Sequence, residues 1–98
     1  MENHYNNLLP VEDERLARLA EECAEVIQII CKIQRHGYSS YNPDDQYRQP
    51  NRQLLEIELG HLHEAELQMR VAKDISMAAI ARSTAAKAVQ VKKYLHHQ

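Results

Sequence analysis

The chain reads as an all-α protein, and three observations carry that expectation. Its 98 residues hold two Gly and three Pro against plentiful Ala, Leu, Ile, Val, Glu, Gln and Lys, a mixture that favours helices. Apolar residues recur at helical spacing, not in alternation, along three separate stretches. Residues that start and stop helices bound those stretches. The expected architecture is three main helices, at about 10–36, 51–72 and 75–96, in a bundle completed by homo-oligomerisation. A chain of 98 residues is one domain with room for one core.

Residues 1–9 read as a loose N-terminal arm. Pro10 suits the first turn of a helix, and Glu12, Asp13 and Glu14 place negative charge where the helix dipole favours it. Leu16, Leu19, Ala20, Cys23, Val26, Ile27 and Ile30 then recur at helical spacing, and Gly37 supplies the stop, with Lys32, Arg35 and His36 in the last turn. Residues 37–50 form a long polar loop with Pro43, Pro50, Tyr38, Tyr41 and Tyr47. Antiparallel helices need only about 2–8 connecting residues, so the extra length points to a functional segment, with the tyrosines as an ordered cover. Asn51 fits as the cap of the second helix, and Asp74 or Ser76 as the cap of the third. In that third helix Met77, Thr84 and Val91 share a seam beside Ala81, Ala88 and Leu95, spacing suited to close packing within a subunit or across a dimer.

A net charge of −2 and a pI near 6.3 leave no electrostatic footprint for a nucleic acid polymer or a membrane surface. No apolar run approaches the roughly 18–20 residues that cross a bilayer. Cys23 and Cys31 stand about 12 Å apart along one helix, too far to form a disulfide with each other. Free, buried thiols suit a reducing compartment, and the expected location is the cytoplasm.

Glu58 is the residue that points to chemistry. With about 100° per residue, Leu54, Leu55, Leu62, Ala65 and Met69 fill one face of the second helix, and Glu58 projects through it. An ionised carboxylate in that position requires a partner. On the first helix Glu21, Glu22 and Glu25 crowd one turn, and Glu22 and Glu25 border the apolar stripe. His61 lies one turn beyond Glu58, so packing the two helices gathers Glu22, Glu25, Glu58 and His61 around one point. Carboxylates brought together in a partly dry groove either take up protons or hold a cation. Hard oxygen donors select Mg²⁺, Mn²⁺ or Ca²⁺, and Mg²⁺ keeps positions open for water and phosphate oxygens. The competing account is a solvated lattice in which Arg15, Arg18 and Lys32 pair with Glu21, Glu22 and Glu25. That lattice explains a lone EExxE but not an acid in the middle of an apolar face.

These residues, in this order, resemble the all-α nucleotide pyrophosphohydrolases of the MazG-like type, whose signature is EExxE, a spacer, then ExxD. Here it stands as Glu21-Glu22-Cys23-Ala24-Glu25 and Glu58-Leu59-Gly60-His61. The framing segments "EECAEVIQIICKIQRHG", "NRQLLEIELG" and "KKYLHHQ" look like short phage-type members, and the likeness covers roughly residues 15–98. The resemblance implies a helical bundle assembled as a dimer or tetramer. It also implies Mg²⁺-dependent cleavage of a nucleoside triphosphate, often a deoxynucleotide, to monophosphate and pyrophosphate. A phage-encoded member would work in the host cytoplasm. On this likeness Glu22, Glu25 and Glu58 are metal ligands, and Glu21 is a ligand or orients the attacking water. Lys32 and Arg35 are candidate phosphate contacts, Tyr38 a candidate stacking or lid residue, and Asn51 either a cap or a phosphate contact.

One position departs from the signature, because His61 stands where the family has aspartate. Imidazole is a poorer Mg²⁺ partner than carboxylate and removes a negative charge. Three outcomes follow: hydrolysis that is reduced or shifted toward Mn²⁺, nucleotide or metal binding without catalysis, or contact of His61 with phosphate. The Glu-x-x-His pair also brings di-iron bundles to mind, but such sites need two of these motifs and one chain supplies one.

Overall fold

The computed structural model describes residues 6–97, so residues 1–5 of the expected N-terminal arm lie outside the described residues. Three helices follow in order: α1 (Pro10–His36), α2 (Asn51–Val71) and α3 (Met77–Gln90), with a 3₁₀ turn over Val91–Lys93. No strand occurs among the described residues, and the chain is all-α. Contacts divide the chain into two compact units between Gln68 and Met69. None of the helices is long and apolar enough to cross a membrane.

Before α1, the Asn6 side chain accepts a hydrogen bond from the Leu8 amide, and Asn7 has a φ of 58°. α1 then starts with Pro10 in its first turn, and the Glu12 carboxylate accepts from the Leu9 amide at 2.8 Å. It ends where Gly37, at a φ of 89°, returns its amide to the Ile33 carbonyl. The second helix runs alongside in the opposite direction: Arg18 meets Glu64, Glu22 meets His61 and Glu25 meets Glu58. The face of α1 turned inward carries Leu19, Glu22, Val26, Ile29 and Ile33, all buried or half-buried. That corrects the expected stripe, since Leu16, Cys23, Ile27 and Ile30 are exposed. The physical cause is that α1 has two apolar seams, and the antiparallel partner covers the one carrying Glu22. Both Cys23 and Cys31 are therefore exposed and free, not buried as expected.

On α2, Leu54, Leu55 and Leu62 are half-buried and Ala65 is 1% exposed, with Glu58 in the same row. Asn51 does not cap this helix. Its backbone amide goes to the Ser40 carbonyl at 2.8 Å and its side-chain amide to the Gly37 carbonyl at 3.1 Å, while Pro50 accepts the first helical amides. Only 2% exposed, Asn51 is the pin that ties the loop to the end of α1.

In the second unit α2 stops one residue earlier than expected. Asp74 returns its amide to Met69 and Lys73 returns its amide to Arg70, the paired bonds of a Schellman ending. Lys73 occupies the left-handed position at a φ of 64°, which glycine adopts without steric cost. Lys73→Gly is expected to raise stability by about 0.5–1 kcal/mol, read as a higher Tm in thermal unfolding. Ser76 caps α3 by accepting from the Ala79 amide, so that helix opens at Met77 instead of 75. It also closes earlier than 96: the turn tightens after Gln90, and Tyr94 bonds to the Val91 carbonyl.

Candidate metal centre

One helical turn of α1 and one of α2 face each other at Glu22, Glu25, Glu58 and His61. Each offers one donor atom, and the four atoms all lie within 4.8 Å of one another. Because the two helices run antiparallel, i, i+3 spacing on each helix is enough to bring the four together. The site contains two orphans: Oε2 of Glu22 and Oε2 of Glu58 are shielded from solvent and have no hydrogen-bond partner. Nδ1 of His61 stands 3.8 Å from the first and 3.5 Å from the second. Shielded carboxylate oxygens without donors are costly and rare, and a cation is the partner that satisfies several at once.

The electrostatics carry the same signature. The Glu25 carboxyl titrates above the ordinary glutamate range, first because it hydrogen-bonds to Glu58 and then because of that residue's negative charge. His61 and Glu22 pull it back down in part.

The lattice account fares differently at each residue. Arg18 pairs its guanidinium with Glu64 across the helices, at an exposed position, and adds a weaker Coulombic attraction to Glu22. That pairing lowers the Glu64 carboxyl below its ordinary range. Arg18, Glu22, His61 and Glu64 line a cavity of about 240 Å³, so the cluster has a mouth on the His61 side. His61 itself is 55% exposed in its side chain, whereas Glu22 and Glu58 are near 20%. Glu21 is exposed and lies outside the group of four.

The remaining sequence-derived residues fall in two places. Lys32, Arg35 and Asn51 line one cavity of about 390 Å³ together with His36, Ser40, Tyr41, Asn42 and Pro43. Lys32 lies about 10 Å further along α1 than Glu25 and at nearly the same angle. Tyr38 is not in this cavity but lines another, with Arg52 over its ring. The sequence motifs leave Arg48 and Arg52 unmarked; Arg48 shares the loop with Tyr41, while Arg52 stacks on Tyr38 from the first turn of α2.

The four ligands fit a divalent cation: three carboxylates and one imidazole, with a donor set harder than a zinc site and softer than an all-oxygen one. Comparison with protein-family models, curated proteins and solved structures gives no match to this chain.

Proposed function

We propose that the chain is a metal-dependent nucleoside triphosphate pyrophosphohydrolase, releasing monophosphate and pyrophosphate, with a deoxynucleotide as the preferred substrate class. One observation carries this reading: two shielded, partnerless carboxylate oxygens, of Glu22 and Glu58, converge with Glu25 and His61. The resemblance of Glu21-Glu22-Cys23-Ala24-Glu25 and Glu58-Leu59-Gly60-His61 to the MazG-like signature supplies the reaction. Glu22, Glu25, Glu58 and His61 would hold Mg²⁺ or Mn²⁺, which lends Lewis acidity to a bound phosphate chain. Lys32 and Arg35 at the end of α1 bind and orient the outer phosphates. Glu21, exposed on the same helical turn, would orient the attacking water.

The same reading includes a second copy of the chain, as a homodimer or tetramer. The outer seam of α1 leaves Leu16, Ile27 and Ile30 exposed at 41%, 60% and 41%, and apolar seams of this kind favour a partner. Gly60 has open space where a Cβ would stand, so packing within the chain does not require glycine there.

The test is to incubate the protein with each common NTP and dNTP, with Mg²⁺ and with Mn²⁺, and to measure pyrophosphate. Release from at least one nucleotide is the expected result; silence across the panel from folded protein removes the hydrolase. A second reading, a nucleotide- or metal-binding homologue without catalysis, draws on the exposed His61 in the aspartate position. It predicts a nucleotide-dependent rise in Tm with no product.

A further inference from the structure

We propose that Ser39, Arg48 and Arg52 form a second anion site on the loop, one that takes the phosphate group of a small molecule. It is distinct from the acid cluster and from the Lys32 cavity. Tyr38, Ser39, Arg48, Pro50 and Arg52 line a cavity of about 330 Å³. Two of the five are cations and none is an acid. Among the described residues neither arginine has a carboxylate at ion-pair distance.

Both guanidinium groups sit over aromatic rings. Arg52 lies over the Tyr38 ring at 4.9 Å and Arg48 over the Tyr41 ring at 5.8 Å. Stacking occupies the flat face of a guanidinium and leaves its in-plane N–H donors available, the geometry that matches phosphate oxygens. The frame behind them is tied down. Arg52 donates its amide to the Tyr38 carbonyl at 2.9 Å, Asn51 donates to Ser40, and Tyr41 bridges to Pro50.

Arg48 carries further information. It sits at a φ of 50°, a region that side chains other than glycine rarely adopt. Asp45 secures that conformation: its two carboxylate oxygens accept from the Tyr47 and Gln49 amides, and its carbonyl accepts from the Arg48 amide. The nearby acid is thereby committed to the turn. Two preset forks and the Ser39 hydroxyl offer more donors than a carboxylate uses, whereas a phosphate dianion has acceptors for all three groups.

The test is a ³¹P titration of the full chain with inorganic phosphate, and separately with a nucleoside monophosphate. It is run at low ionic strength without divalent cation, so that its result does not depend on the hydrolase reading. Saturable binding is expected, weakened about tenfold or more in Arg48→Gln/Arg52→Gln and unchanged in Lys92→Gln, a lysine that lines neither cavity. Tighter binding of the monophosphate names an ester as the natural ligand; tighter binding of inorganic phosphate names the free ion. Ser39→Glu guards against misfolding of the double variant: its carboxylate should occupy the site, abolish phosphate binding and hold or raise Tm. Absence of saturation overturns the proposal, as does binding lost in Lys32→Gln but kept in the double variant, or phosphate binding that survives Ser39→Glu.

Discussion

Glu58→Gln is expected to weaken divalent-cation binding about a hundredfold and to take most pyrophosphate release with it, while the cation-free protein keeps or gains stability. The magnitude follows from ligand loss, since even groups one shell out from a metal change affinity by about 10–100-fold. The direction for the free protein follows from the site: Glu58 is the residue whose contact and charge drive Glu25 upward. An amide at this position keeps the shape and the hydrogen bond to Glu25 while removing the repulsion. The pH dependence gives an independent reading of the same change. A glutamate with a raised folded value stabilises the fold while it is protonated. Its contribution is therefore full below the ordinary glutamate range and is lost as pH rises through the raised Glu25 value. Thermal unfolding without cation should show that loss from the ordinary glutamate range upward, and Glu58→Gln should flatten it. Added Mn²⁺ or Mg²⁺ competes with the proton, so the cation-induced gain in Tm should grow with pH in the wild-type chain alone. Equal gains in both proteins would mean that the cation binds elsewhere.

How far this site was legible in the sequence depends on how local each determinant is. The directions of Glu22, Glu25, Glu58 and His61 are fixed by about 100° per residue along two helices, and they converge as that angle requires. Helix ends were nearly as local: Pro10, Gly37 and Ser76 each act through their own backbone or the next turn. The inner face of α1 was not local. Leu19, Val26, Ile29 and Ile33 compete with Leu16, Cys23, Ile27 and Ile30, two seams of similar apolar content, and only the packed partner selects between them. The partners of Arg18 and Asn51 were hidden for the same reason, because Glu64 and Gly37 lie 46 and 14 residues away in the chain. Periodicity reports which faces are apolar; it does not report which of two will be covered.

His61→Asp tests the one departure from the signature, and it should act on metal choice before anything else. The imidazole Nδ1 faces the same two orphan oxygens that a cation would join, at 3.8 and 3.5 Å. A carboxylate there adds a hard donor and a negative charge, so Mg²⁺ affinity and Mg²⁺-supported turnover should rise about tenfold or more, which is about 1.4 kcal/mol of transition-state or binding free energy. Mn²⁺, which tolerates imidazole, should gain less, and the Mn²⁺-to-Mg²⁺ activity ratio should fall. Without cation the same change should lower Tm: His61 now holds the Glu25 carboxyl down, and a fourth acid would push it further up. Metal-dependent turnover and cation-free unfolding thus move in opposite directions, a pairing that a residue facing solvent cannot produce. If the variant gains stability without cation and its Mg²⁺ dependence stays put, His61 does not face the ion, and the site is a three-carboxylate one built from Glu22, Glu25 and Glu58.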